Sequence, residues 1–127
     1  MKGIVVDTDV FSFIFKGDTR TQIYRPMLNS FTPCLSFLTV AELYRWSIVR
    51  KWGVKQVDSL KREIAGYFIL EHDDATAWEW ARITSVPGKQ IGFSDAWVAA
   101  SAIRNGLPLL TNNRKHFESI TALRFSE

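Results

Sequence analysis

The chain has 127 residues, of which 46% are hydrophobic and 23% are charged. These proportions are typical of a packed globular domain and exclude a disordered chain. The net charge of +3 slightly favours a polyanionic partner. The single cysteine, Cys34, excludes an internal disulfide framework and is compatible with a reducing cytoplasm.

No feature of the sequence indicates export or a membrane partner. No apolar run approaches the ~18 residues that a membrane span needs. Asp7 and Asp9 interrupt the first apolar stretch, which argues against a signal peptide. We therefore expect a single cytoplasmic domain over residues 1–127.

Short apolar runs alternate with longer helical patterns along the chain. The runs predict four buried strands over residues 4–6, 35–38, 67–70 and 107–110, and an edge strand over 122–125. Apolar residues at helical spacing predict helices over 40–52, 54–65, 75–84 and 95–104. This alternation predicts an α/β fold, in which helices cover both faces of a mainly parallel sheet.

Five polar residues stand where the predicted strands end or the next helices begin. Asp7 directly follows the first strand, and Thr111 and Asn113 follow the fourth. Glu42 lies four residues after the second strand, in the first turn of a helix. Asp95 opens the helix that leads to the fourth strand. Because parallel strands end at one edge of a sheet, we expect these residues to converge there.

Clustered carboxylates repel one another unless a cation lies between them. An oxygen-only ligand set suits Mg²⁺ or Mn²⁺, whereas Zn²⁺ prefers His and Cys. Each acid also has a purely structural interpretation. Thr39 and Glu42 match a capping box, and Ser94 with Asp95 fits the start of a helix. Asp7-Thr8-Asp9 likewise fits the start of a helix, but separate caps need not fall on one edge of one sheet.

The order and spacing of three segments carry a family resemblance. Residues 5–10 read VVDTDV, residues 36–44 read SFLTVAELY, and residues 94–117 read SDAWVAASAIRNGLPLLTNNRKHF. Together they resemble the PIN-domain nucleases, and among these the VapC toxins of bacterial and archaeal toxin–antitoxin pairs. The resemblance covers nearly the whole chain. It implies a three-layer α/β/α PIN-like domain with a mainly parallel central sheet.

The resemblance also implies the activity and the site. The expected activity is that of an endoribonuclease toxin that depends on Mg²⁺ or Mn²⁺. Asp7, Glu42 and Asp95 match the family's first three acids and are the expected metal ligands. Thr111 matches the hydroxyl residue after the fourth strand, and these four residues with Asn113 form the expected catalytic set. Asn113 stands where many PIN domains carry a fourth acid, which argues against a tightly held second metal.

The implied partners are an RNA substrate, by analogy a transfer RNA, a cognate VapB-like antitoxin and a second copy of the chain. The basic residues considered for the RNA backbone are Lys16, Arg20, Arg25, Arg45, Arg50 and Arg114. Trp46, Trp78 and Trp97 are expected in the core or in a dimer interface. His72 and His116 lack the spacing of metal ligands, although His116 is placed to contact phosphate.

Two alternatives remain at this point. Asp7-Thr8-Asp9 after an apolar strand also resembles haloacid-dehalogenase-type phosphatases, but only 16 residues follow Thr111 and they lack the acidic pair that family requires. The second alternative is a non-catalytic PIN-like scaffold that binds RNA or a protein. Its only support is Asn113, and it predicts no divalent-dependent cleavage of RNA.

Overall fold

The structure is a computed structural model and describes residues 2–126. Its strands are β1 (Gly3–Val6), β2 (Thr32–Ser36), β3 (Phe68–Leu70) and β4 (Leu109–Leu110). Its helices are α1 (Thr8–Lys16), α2 (Thr21–Leu28), α3 (Phe37–Val49), α4 (Val54–Ala65), α5 (Asp74–Thr84) and α6 (Phe93–Arg104), followed by a 3₁₀ turn at Arg114–His116. None of the helices in this described part is long and apolar enough to cross a bilayer.

The four strands form one parallel sheet in the order β3-β2-β1-β4, which confirms the predicted fold class. Val5 of β1 lies between Cys34 of β2 and Leu109 of β4. The predicted edge strand at 122–125 is wrong, because only Phe125 bridges to Leu109 there. All four strands therefore run toward the same edge of the sheet.

The sheet is covered on both faces by separate apolar clusters. Ile4 and Val6 of β1 pack among residues of α1 to α4, including the buried Phe11. Val5 points the other way and packs with Ala99 and other small residues of α6. This alternation follows from the two-residue period of a strand. It gives the three-layer α/β/α arrangement expected from the sequence.

Several element boundaries differ from the prediction, and one of them moves a site residue. α3 begins at Phe37, although residues 37 and 38 are predicted as strand, because the hydroxyl of Ser36 accepts a hydrogen bond from the Leu38 backbone N–H. α3 ends at Val49, three residues earlier than expected, and Lys51 then adopts a positive φ of 56°. Glu42 consequently lies in the second helical turn rather than the first.

Candidate active site

A cavity of about 530 Å³ opens at the carboxyl edge of the sheet. Within residues 2–126, its acidic lining consists of Asp7, Asp9, Glu42 and Asp95, and Asn113 also lines it. Thr111 lies directly beside this group through a hydrogen bond to Asp7. The structure thus brings together all five residues that the sequence predicts for the site, and it adds Asp9.

Asp7 has two roles at the end of β1. It is the N-cap of α1, where its Oδ1 accepts a hydrogen bond of 2.8 Å from the Thr8 backbone N–H. Its Oδ2 accepts a second bond of 2.8 Å from the Thr111 hydroxyl. Burial, assisted by the negative charges of Asp9 and Asp95, raises the pKa of Asp7 to about 7 despite these two hydrogen bonds. The structural and functional interpretations of Asp7 are therefore compatible.

Asp9 organises the loop that follows β4, a role that the sequence does not predict. Its Oδ2 accepts hydrogen bonds from the Asn112 backbone N–H at 3.1 Å and from the Asn113 side-chain amide at 3.0 Å. The Asn113 backbone N–H donates to the Thr111 hydroxyl oxygen at 3.0 Å. Burial raises the pKa of Asp9. The repeated Asp in the Asp7-Thr8-Asp9 run is the one sequence signal of this role.

Glu42 is held by Ser94 rather than by a capping box. The Ser94 hydroxyl donates a hydrogen bond of 2.5 Å to Oε2 of Glu42. Thr39 does not cap α3, because Ser36 occupies that position and the Thr39 hydroxyl receives a long bond of 3.4 Å from Thr8. Ser94 does not cap α6 either, since that helix begins at Phe93 after Gly92. The capping interpretations of Glu42 and Ser94 are therefore wrong.

Asp95 lies in the first turn of α6 and faces the single histidine of the cavity lining. Its Oδ2 is 3.4 Å from Nδ1 of His116. Burial raises the pKa of Asp95, and the neighbouring His116 acts in the opposite direction. His116 also lines an adjoining cavity with Arg114 and Tyr24, whose hydroxyl donates to the Asn112 side chain.

The donor set of the cavity fits a small divalent cation. Every carboxylate lining it is a hard oxygen ligand, and their mutual repulsion is relieved when a cation lies among them. Among the described residues, no three His, Cys, Asp or Glu side chains are gathered closely enough to enclose a metal ion. Mg²⁺ commonly retains several waters and uses only one or two carboxylates directly. An open acidic cavity of this kind matches that mode of binding.

The aromatic residues divide between the core and the surface. Trp97 stacks between His72 at 4.8 Å and Trp80 at 5.0 Å, measured between ring centroids. Trp78 is 71% exposed on α5, so it is not a core residue. Trp46 is half-buried and lines the acidic cavity.

Comparison with known proteins agrees with this fold. The family model of the PIN domain matches residues 4–123, and the chain belongs to the PIN domain family. This membership sets aside the haloacid-dehalogenase alternative.

The relatives include ribonuclease VapC2 of Haemophilus influenzae, which is 29% identical over 123 residues, covering 94% of this chain and 93% of that protein. The tRNA(fMet)-specific endonuclease VapC of Shigella flexneri is 25% identical over 127 residues, covering 98% and 96%. The fold matches a chain of the VapBC2 structure from Rickettsia felis, bound to a DNA fragment from its promoter. That match has a TM-score of 0.84 at 19% identity and covers 98% of this chain and 97% of that one.

Proposed function

We propose that the protein is a Mg²⁺- or Mn²⁺-dependent endoribonuclease and the toxin of a VapBC-type toxin–antitoxin pair. The carrying observation is the convergence of Asp7, Asp9, Glu42 and Asp95 on one cavity from three separate elements of the fold. A cluster of carboxylates opposes folding, so a scaffold that only binds a partner has no need of it. The VapC ribonucleases among the relatives support the choice of RNA as substrate.

The proposed site divides the work among a few side chains. Asp7 and Asp95 would hold the cation directly, and Glu42 through water. The cation would polarise the scissile phosphate and lower the pKa of an attacking water. The Thr111 hydroxyl fixes one oxygen of Asp7, and Ser94 fixes one oxygen of Glu42, so both carboxylates are oriented before substrate binds.

Asn113 has a positioning role in this proposal. Its side-chain amide donates to Asp9 and its backbone N–H donates to Thr111, so it ties the loop after β4 to the start of α1. An amide at this position adds no charge to the cavity. The carboxylates that line the cavity are sufficient for one cation that keeps several of its own water ligands.

The partners follow from the same site and from its relatives. A cluster of carboxylates is suited to an Arg side chain from a cognate VapB-like antitoxin, and the VapBC structures among the matches support such a partner. A transfer RNA in the cytoplasm is the proposed substrate, supported by the Shigella relative. We also propose a homodimer, supported by the exposed Phe37 and Phe93 beside the His72–Trp97 stack.

The test is cleavage of total RNA, including the tRNA pool, by the purified protein with Mg²⁺ or Mn²⁺. Discrete products are expected, and they should disappear with EDTA and in the Asp7→Asn/Asp95→Asn variant. The Asp58→Asn/Asp74→Asn variant removes two exposed carboxylates outside the cavity and should cleave normally.

Calorimetric titration with Mn²⁺ addresses the non-catalytic alternative. We expect the wild-type protein and the Asp58→Asn/Asp74→Asn variant to bind Mn²⁺, and the Asp7→Asn/Asp95→Asn variant to lose this binding. If the wild-type protein neither cleaves RNA nor binds Mn²⁺, the non-catalytic PIN-like scaffold replaces the nuclease as the interpretation.

A further inference from the structure

One face of α3 connects the carboxylates to a group of cations. Glu42, Arg45, Trp46 and Val49 all line the acidic cavity and follow the i, i+3, i+4, i+7 spacing of a single helix face. Arg50 follows at the C-cap of the same helix. The cavity therefore has an acidic end at Glu42 and a basic end at Arg45, and Arg50 lies just beyond Val49 of its lining.

Trp46 holds two cations at this basic end. Nζ of Lys16 lies 4.4 Å from the centroid of the Trp46 ring, and Cζ of Arg50 lies 4.6 Å from it. Other aromatic rings support the indole of Trp46. The Trp52 ring packs against it with 5.4 Å between centroids, and Trp52 in turn stacks on Phe15 at 5.8 Å. Cations held over a rigid aromatic ring lose little conformational freedom when they bind an anion.

The cations of this group are free of close ion pairs within the described part of the chain. Across residues 2–126, neither Lys16, Arg45 nor Arg50 forms an ion pair with a carboxylate. The arginines that do form such pairs are Arg20, Arg82 and Arg104. The basic group therefore retains its attraction for an external anion.

Two helices set the separation between the acids and the cations. α1 begins directly after Asp7 and ends at Lys16, and α3 carries Glu42 in its second turn and leads to Arg50. At 1.5 Å per residue, Lys16 lies about 13 Å along the helix axis from Asp7, and Arg50 lies about 12 Å from Glu42. That separation suits an extended polyanion that contacts both groups at once.

We infer that Lys16 and Arg50, held over the Trp46 ring, together with Arg45 of the cavity lining, bind the phosphate backbone of a single-stranded RNA segment that leads into the carboxylates. This inference rests on the proposed function for the nature of the polyanion. A carboxylate site repels RNA, so cations beside it have to supply the attraction. A single strand is favoured because its phosphates and splayed bases are able to enter a concave site. Trp46 acts as a support for cations, since they already occupy its ring.

The test is binding of a short fluorescein-labelled oligouridylate to the Asp7→Asn/Asp95→Asn protein, which lacks two proposed metal ligands and should therefore bind RNA without cutting it. Lys16→Gln/Arg50→Gln in this background is expected to weaken binding about 10-fold. It should also lower the slope of log affinity against log salt by about 1.4, because two phosphate contacts are lost. The charge-preserving Lys16→Arg/Arg50→Lys exchange should restore most of the affinity.

Lys2→Gln/Arg124→Gln is the matched control. It also removes one Lys and one Arg, but from a cavity at the opposite edge of the sheet, where β1 and β4 begin. Its affinity and salt slope should stay at the parent values. If both double variants lose the same RNA affinity, the effect comes from net charge alone and the inference is overturned. The inference is also overturned if neither variant loses affinity. Absence of oligouridylate binding by the parent protein would overturn it too.

Two further outcomes separate this inference from the proposed nuclease. The first uses Lys16→Gln/Arg50→Gln in the otherwise wild-type protein. If this variant cleaves RNA with unchanged kcat and KM, the nuclease stands and these cations do not bind the substrate. If the wild-type protein cuts no RNA but binds it through Lys16 and Arg50, the inferred RNA-binding surface stands and the nuclease activity is rejected. If the variant instead loses only its binding of an oligoglutamate peptide, the surface is a docking site for an acidic protein segment and the inference fails.

Discussion

The hydroxyl of Thr111 donates a hydrogen bond of 2.8 Å to Oδ2 of Asp7, although 104 positions separate the two residues in the sequence. The contact follows from the sheet, because β1 and β4 are neighbours with Val6 opposite Leu110. The residue after each strand therefore reaches the same point at the carboxyl edge, and the Asp7 backbone N–H donates to the Leu110 carbonyl there. The bond orients a carboxylate that burial and its acidic neighbours make costly to ionise.

Asp7→Asn should stabilise the metal-free protein at neutral pH and above. In the folded state the pKa of Asp7 is raised from 3.8 to about 7, so the folded state binds this proton more tightly than the unfolded state. Stability contributed by the protonated group is therefore lost as pH rises from about 4 to about 7. The loss is on the order of 4 kcal/mol, or roughly 15 °C in Tm. Thermal denaturation in EDTA across this range measures it.

The same experiment contains its own control for the cation. Added Mn²⁺ should raise the Tm of the wild-type protein, because a cation compensates the charge of Asp7. It should raise the Tm of Asp7→Asn much less. A wild-type Tm in EDTA that is constant from about pH 4 to about pH 7, or equal to that of Asp7→Asn throughout, would contradict the prediction.

Asn113→Asp should make the site more dependent on metal. The Asn113 amide nitrogen is 3.0 Å from Oδ2 of Asp9, so an aspartate here replaces a hydrogen bond with a repulsion between two carboxylates. Because the position is exposed, we expect the metal-free protein to lose only about 1 kcal/mol of stability. Mn²⁺ affinity, measured by calorimetry, should rise several-fold.

Gln56→Glu is the matched control for this variant, since it makes the same amide-to-carboxylate change on the exposed surface of α4. Its Mn²⁺ affinity should equal that of the wild-type protein. Unchanged affinity in Asn113→Asp would show that this side chain lies outside the reach of the cation.

The sheet and the convergence of the acids are predictable from sequence because both follow from local patterns. A short β-branched run such as residues 4–6 indicates a buried parallel strand, and the acid that follows it then has to lie at the carboxyl edge. The same reasoning locates Thr111 after β4. These inferences require no knowledge of which side chains touch.

The elements that the sequence does not predict depend on contacts or on competing patterns. α1 reads TDVFSFIFK, a mostly apolar segment whose period does not distinguish a helix from a strand. α2 has no side-chain cap and contains Pro26, so its local signals are weak. The role of Asp9 depends on Asn112 and Asn113, which lie more than 100 positions away and reach it only through the sheet.

Ser94→Ala should lower cleavage with little effect on folding. Its hydroxyl donates to Oε2 of Glu42, and its loss frees that carboxylate to take other rotamers. We expect kcat to fall about 10-fold at unchanged KM, and stability to change by less than about 0.5 kcal/mol. Single-turnover cleavage and thermal denaturation measure the two effects. Ser85→Ala, which removes a surface hydroxyl bonded within α5, should leave both unchanged. Equal cleavage by Ser94→Ala and the wild-type protein would remove Ser94 from the proposed mechanism.

Ser36→Ala should show the opposite pattern, with reduced stability and retained chemistry. The Ser36 hydroxyl is fully buried, caps α3 through the Leu38 N–H, and lies 3.3 Å from the Ser101 hydroxyl and 3.2 Å from Nε2 of His72. Its removal takes a hydrogen-bond partner from the buried Ser101 hydroxyl and from two partly buried groups, at a cost of about 1–3 kcal/mol. We expect a Tm lowered by several degrees and, well below that Tm, cleavage within about twofold of wild type. A loss of cleavage in fully folded Ser36→Ala would contradict this prediction. It would mean that the cap at the start of α3 is needed to position Glu42.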